Sequence, residues 1–285
     1  MQYKKNRCEN SHRFFVISDK ISGIHFSKYM GDDFMRFYIF TKKQLLTVAS
    51  IALAVIVGTI VSISVFAKQE RLLPIYSVGT DEKKIAISFD AAWGADDTDT
   101  LIAVLQKYNV KATFFVVGEW VDKYPDQVKK LSDAGHDVMN HSNTHPYMTS
   151  LSSNKMIEEL KTCNQKIASI TGKSPTLFRC PYGDYNNSVI STVESIGMKS
   201  IQWDVDSLDW QENATVDSIV SRVTGKVKNG SIVLFHNDAE HTPEALPIIL
   251  EKLLAEGYTF EKIADLIYYD NNEILHDGTQ IKKQG

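Results

Sequence analysis

Two histidines four residues apart, His141 and His145 in the run HSNTHP, are the clearest chemical signal in this chain. On a helical turn that spacing projects both imidazoles from one face, where they can grip a single divalent ion. Taken alone, such a pair reads as well as two surface or capping histidines, but this one follows an apolar run and ends in Pro146. Asp90 closes the apolar run IAISFD, a position where desolvation raises a carboxyl pKa and a nearby cation holds the group ionised. Arg179 is the obvious cation. The bland alternative is an ion pair that merely closes the fold. Asp204, Asp206 and Asp209 in WDVDSLDW, and His236 at the end of IVLFH, are further proton-carrying groups.

Each of these residues sits just after a short apolar run. From Lys83 onward such runs alternate with helix-like stretches, the signature of repeated strand-helix-strand units and a parallel sheet. Strands are expected at 85–89, 112–117, 137–140, 176–178, 200–203, 232–235 and, more weakly, 258–260. Helices are expected at 98–108, 125–134, 154–171, 188–196, 216–226, 243–255 and 263–269, and Gly135, Gly172, Gly197 and Gly257 each follow one as a stop. The expected fold is α/β, a distorted (β/α) barrel of about seven strands, with a doubly wound open sheet as runner-up. In such a barrel the C-terminal strand ends converge on one face. Asp90, His141, Arg179, the three aspartates and His236 would then meet.

The runs KKIAISFDAAWG, ATFFVVGEW, HSNTHP, RCPYG, WDVDSLDW and LFH occur in the order and approximate spacing of a known motif set. Over residues 83–268 the chain resembles the polysaccharide deacetylases of carbohydrate esterase family 4, which carry a NodB homology domain. Within that family SFDAAWG and the N-terminal apolar segment look most like the PdaB-type sporulation deacetylases. The resemblance implies a hydrolase removing N-acetyl groups from GlcNAc or MurNAc units of peptidoglycan or chitooligosaccharides, with a divalent metal of the zinc or cobalt type. It implies Asp90 as general base, Arg179 as the group orienting it, His236 as general acid and Asp209 as the carboxylate orienting His236. It also implies His141 and His145 as metal ligands, Trp210 and Leu234 as walls of the acetyl pocket, and the Tyr182 backbone N–H as an oxyanion donor.

One position departs from the pattern. The family's first motif reads FDDGP, and its second aspartate is the third metal ligand; here that position is Ala91, and a methyl group cannot coordinate. Asp96 or Asp97 in WGADD is a candidate to fold back and supply the carboxylate, or else an acidic residue favoured at a helix start. Ala91 motivates one rival reading, a glycan-binding or structural pseudoenzyme of the envelope. A second rival is an O-acetyl esterase, which the same groups would serve. Trp93, Trp120 and Trp203 either stack on sugars or pack in the core, with the core expected. His136 and His241 match no motif and read as solvated or locally hydrogen-bonded.

A formal charge of -4 leaves no basic excess for phosphates, which sets nucleic acid aside as a partner. Of the three cysteines, Cys163 and Cys180 are expected as free, partly buried thiols, with a bridge between them as the alternative. Residues 45–67 carry no charge and suffice as a transmembrane helix. Arg36, Lys42 and Lys43 precede it, which places the N-terminus in the cytoplasm and the rest outside the cell membrane. A cleaved signal ending near Ala67 is the alternative. The expected order is a cytoplasmic segment 1–44, an anchor 45–67, a linker 68–82, the NodB-like domain 83–269 and a polar tail 270–285. Residues 1–34 lack periodicity, and translation is expected to start at Met35.

Overall fold

The computed structural model describes residues 41–65 and 70–283, apart from the side chains of 58–65. The chain divides into two units, Met1–Glu70 and Arg71–Gly285. In the first, Lys42–Val65 is an α-helix. Thr41 and Gln44 cap it reciprocally, the Gln44 N–H donating to Thr41 Oγ1 and the Thr41 N–H to Gln44 Oε1. Among the described residues no helix is long and apolar enough to cross a membrane. The expected span at 45–67 runs into residues outside those described, and so do residues 1–34 and the Met35 start.

The second unit is a curled parallel sheet flanked by helices. Its hydrogen-bonded order is Lys199–Ser200, Leu177–Phe178, Asp137–Asn140, Thr113–Val116, Lys84–Ala91, Ile232–His236 and Val205–Asp206, with Thr259–Phe260 pairing onto the start of Lys84–Ala91. The central strand KIAISFDA is buried on both faces, as a central parallel strand must be. Its side chains alternate. Ile85, Ile87, Phe89 and Ala91 join the apolar layer beneath the helices, while Ala86 belongs to a second apolar cluster with Phe115, Ile201 and Ile232. Ser88 and Asp90 share the parity of Ala86 and so point to the sheet's concave interior. Phe89 stacks on Phe114 at 4.7 Å and on Phe235 at 5.6 Å. Each such fully buried ring contributes about 1.5–3 kcal/mol, and together they lock the three central strands in register one residue before the site.

The sheet path ends at Lys199–Ser200 on one side and Val205–Asp206 on the other, so the barrel is a half-barrel with a seam. The chain expected to be a linker lies in that seam. Ile75 bridges in parallel to Ile201, and Ser77 bridges antiparallel to Ser231. Ile75 and Val78 are buried. The expected polar tail is also structured: Asn272–Ile274 and Thr279–Lys282 form a three-stranded sheet with Ser77–Val78. Both expectations fail for the same reason. Strands of two to four residues carry too little apolar periodicity to register as elements, and long-range pairing alone makes them strands. The expected strand at 200–203 is likewise shortened to Lys199–Ser200, and Val205–Asp206 pairs instead with Ile232–His236.

Gly230 closes the seam at φ +77°, and a methyl group there would overlap the Val78 carbonyl oxygen. Its N–H donates to Lys84 O and its carbonyl accepts from the Val78 N–H. Gly172 is also left-handed, yet an added methyl group meets nothing within 4 Å. Gly172→Ala should therefore cost about 1 kcal/mol, while Gly230→Ala should cost about 3 kcal/mol or more. Urea unfolding midpoints check this; equal losses would mean the seam does not hold the sheet.

Candidate active site

Asp90 and Arg179 form the buried centre of the concave face. Arg179 is 0% exposed, and its Nη1 donates to Asp90 Oδ1 at 2.8 Å. Its Nη2 donates to Ser88 Oγ at 2.9 Å and to the Gln202 carbonyl at 3.1 Å. Its guanidinium lies 4.2 Å over the Phe115 ring. Burial pushes the Asp90 pKa up, but the charges of Arg179, His141 and His236 with the Arg179 hydrogen bond outweigh it and hold the carboxyl below its usual range. Asp90 is thus an ionised acceptor whose second oxygen, Oδ2, faces His141 Nε2 at 3.5 Å.

His236 occupies the position paired with Asp90 on the neighbouring parallel strand. Asp209, on the loop after Val205–Asp206, is almost wholly buried. Its Oδ1 lies 2.8 Å from His236 Nδ1, while Oδ2 accepts from the His236 N–H at 2.8 Å and from Thr242 Oγ1 at 2.7 Å. Burial of His236 opposes its charged form, and the Asp209 hydrogen bond and charge outweigh that burial, so its pKa is raised.

The histidine pair does not lie on a helical turn. His141 extends the Asp137–Asn140 strand by donating its N–H to Val116 O, and then the chain turns. Ser142 and His145 are both left-handed, at φ +68° and +57°. The Asn140 side chain accepts the Ser142 N–H, Ser142 Oγ accepts the His145 N–H, and Glu159 accepts the N–H groups of Asn143 and Thr144. The two rings still meet, with centroids 5.0 Å apart. His141 Nδ1 lies 2.8 Å from the Arg179 carbonyl, which can only accept, so Nδ1 carries the proton and Nε2 faces the cleft as a bare acceptor. Burial pushes both imidazoles down, His145 to about 4, where a proton on His141 would further repel one on His145, and both are neutral at pH 7.

A cleft of about 870 Å³ joins these groups, lined among others by Asp90, His141, His145, Asp209, Leu234 and His236. Tyr182 and Trp210 stand exposed at its rim, each more than half accessible. The two remaining carboxylates named from the sequence do not join the histidines. Asp96 is exposed, and Asp97 precedes the helix Thr98–Lys107, where it accepts the Asp238 N–H at 2.9 Å. Trp93, expected in the core, is exposed and lines the cleft with its ring 6.0 Å from that of His145. Trp120 is buried in the core, and Trp203, half-buried, packs against the second apolar cluster and lines the cleft as well. His241 lines the cleft; His136 is buried and accepts the Ala112 N–H. Asp204 is structural, accepting from Ser231 Oγ and the Ile232 N–H, whereas Asp206 faces the cleft. Cys163 and Cys180 are buried free thiols.

Sequence reasoning missed Asn237. Its N–H donates to Asp90 O, its Oδ1 accepts the Ala92 N–H and its Nδ2 donates to Gly94 O, so it clamps the loop after Asp90. Tyr147, stacked on Tyr182 at 4.3 Å, was missed too. The one signal for either was adjacency to a motif histidine.

The donor set falls short of a catalytic metal centre. His141 and His145 present two neutral imidazoles, but among the described residues no group of three His, Cys, Asp or Glu side chains is placed to hold an ion, and three protein ligands are usual. Ala91 is 1% exposed and packs in the apolar layer beneath the helices.

Residues 77–201 match the family model for polysaccharide deacetylase. The chain is 32% identical over 202 residues to the peptidoglycan-N-acetylmuramic acid deacetylase PdaA of Bacillus subtilis, covering 70% of this chain and 77% of PdaA. The two folds superpose with a TM-score of 0.65 over 68% of this chain and 84% of the PdaA structure. The uncharacterized protein YlxY of Bacillus subtilis is 32% identical over 194 residues, 68% of this chain and 60% of its own length. The solved BA3943 of Bacillus anthracis, described as a CE4 family pseudoenzyme, is 34% identical with a TM-score of 0.65, covering 68% of each chain. This chain belongs to the polysaccharide deacetylases, carbohydrate esterase family 4.

Asp90→Asn leaves the Arg179 charge buried without its counter-charge and should cost about 3–5 kcal/mol of stability in urea unfolding at pH 7. The Asp90 carboxyl is depressed in the fold, so its contribution is present above its unfolded pKa of about 3.9 and fades as pH falls through the lower folded value. The gap between wild type and variant should narrow in that acid range. A gap that stays constant with pH would show that the pair contributes packing alone.

Proposed function

We propose that the chain hydrolyses N-acetyl groups from the amino sugars of a peptidoglycan-type glycan. One observation carries this reading: an ionised carboxylate and a histidine with raised pKa occupy paired positions on adjacent strands, about 4.8 Å apart in backbone spacing, over one cleft. A base and an acid held that close can act on opposite ends of one amide. Asp90, oriented by Arg179, takes a proton from water, and the oxygen attacks the acetyl carbonyl carbon. The oxyanion that forms lies by the Tyr182 backbone N–H, and Leu234 and Trp210 wall the acetyl methyl. His236 passes its proton to the leaving nitrogen while Asp209 stabilises the imidazolium. Acetate and a free amine result. His141 and His145 present neutral nitrogens toward the reacting centre.

The site faces outward in this reading. The uncharged run 45–67 anchors the chain once in the cell membrane with the basic flank in the cytoplasm, and the deacetylase unit acts on the wall, during sporulation if the PdaB-type resemblance extends to timing. A second reading, a catalytically silent glycan binder, is favoured by Ala91 and the two-histidine donor set.

The test is acetate release from N-acetylated peptidoglycan and chitooligosaccharides by the full chain, with and without added Zn²⁺ or Co²⁺. Release that falls by about 100-fold or more in folded His236→Ala supports deacetylation. Folded protein that releases nothing favours the silent binder, and release from O-acetylated glycan alone would make it an esterase. His236 must be protonated to act, and Asp209 raises its pKa. Activity should therefore persist above pH 6.5 and then fall, and Asp209→Asn should move that alkaline limb to lower pH. An unmoved limb would remove His236 from the acid role.

A further inference from the structure

The cleft has a sign. Among the described residues six carboxylates line it, Asp90, Asp206, Asp209, Glu212, Asp238 and Glu240, and no lysine or arginine does. Asp90 is neutralised by Arg179 behind it, and Asp209 by His236. Asp206, Glu212, Asp238 and Glu240 make no ion pair among the described residues, and the last three are exposed. Lys123, whose charge reaches Asp238, holds its ammonium over the Tyr124 ring and lies outside the lining. Asp97, just behind Asp238, registers the same field: burial pushes its pKa up to about 6, and the Asp238 and Asp209 charges add to the rise.

Walls of one sign focus the potential of a cleft, so a ligand's own charge decides how well it enters. Resting on the glycan reading above, we propose that this cleft selects by charge. It takes stretches of N-acetylhexosamine that carry no carboxylate, binds them more tightly where a neighbouring sugar bears a free ammonium, and disfavours muramyl units with a free lactyl carboxylate. The exposed faces of Trp93, Trp210 and the Tyr147–Tyr182 stack supply the charge-independent part of the grip, since aromatic faces bind apolar sugar faces and attract cations. The unpaired carboxylates supply the selection. A chain already deacetylated at one unit would thus be held better than an untouched one.

The test measures binding rather than turnover, by tryptophan fluorescence of the full chain with Trp93, Trp203 and Trp210 as reporters. Three probes are compared: chitotetraose, chitotetraose with one free amine, and a tetrasaccharide of alternating GlcNAc and MurNAc with free lactyl groups. The amine-bearing probe should bind on the order of tenfold tighter than the lactyl-bearing one at low salt, with chitotetraose between them. That spread should shrink toward unity near ~1 M salt, where the Debye length is ~3 Å. Glu212→Gln with Glu240→Gln, both on exposed positions, should compress the ratio between the amine-bearing and lactyl-bearing probes; a ratio left at its wild-type value would overturn the assignment of selection to these carboxylates. Equal affinities, or tighter binding of the lactyl probe, would overturn charge selection and leave the glycan reading intact. Binding of none of the three would overturn both.

Discussion

A guanidinium buried without access to water must find its charge and hydrogen bonds inside the fold, and the rest of this structure is arranged around that demand. Arg179 meets it with Asp90 and Ser88 from the central strand and the Gln202 carbonyl from the seam side. Those partners are contributed by segments more than 20 residues apart in each case, so the ion pair ties the middle of the half-barrel to its edge. Removing such a charge from water costs several kcal/mol, which the pair recovers only in good geometry. Its stabilising value is therefore modest, and its positional value is large. Asp90 is left with one oxygen committed to Arg179 and one directed at the cleft.

The second dyad reverses the sense. In the first pair the carboxylate faces the cleft and the cation lies behind; in the second the cation faces the cleft and Asp209 lies behind, itself held by a backbone N–H and the Thr242 hydroxyl. The two aspartates thus differ in placement: Asp90 directs an oxygen at the cleft, whereas Asp209 lies behind the imidazole that faces it. This asymmetry sets a carboxylate with lowered pKa beside an imidazole with raised pKa over one cleft. It is independent of Ala91, which alters the donor set and leaves both dyads intact, and that is why family membership and catalytic competence are separate questions for this chain.

Much of the fold was legible in the residues. The helix Val216–Lys226 and the strand Asp137–Asn140 lie where the pattern puts them, and Gly135, Gly172, Gly197 and Gly257 all adopt the left-handed conformation of a helix stop. These features are local: apolar periodicity and the freedom of a residue without a side chain act within a few positions. Asp90, Arg179 and His236 were legible for a related reason, since a charged residue at the end of an apolar run stands out against its neighbours; Asp209, one of three aspartates in WDVDSLDW, was singled out only by the family resemblance.

What the sequence by itself determined is which residue types stand at the ends of the buried strands. Tertiary structure alone decided how they pair, because pairing depends on contacts between distant segments. The seam segment at 75–78 and the strands at 272–274 and 279–282 exist only through each other. His141 and His145 converge through a turn of left-handed residues rather than a helix, since the Asn140, Ser142 and Glu159 side chains take the backbone N–H groups. Trp93 is solvent-facing because the Asn237 clamp turns the chain outward just after Asp90. The acidic wall of the cleft also arises in folding, where Asp206 and Glu212 meet Asp238 and Glu240 across one opening.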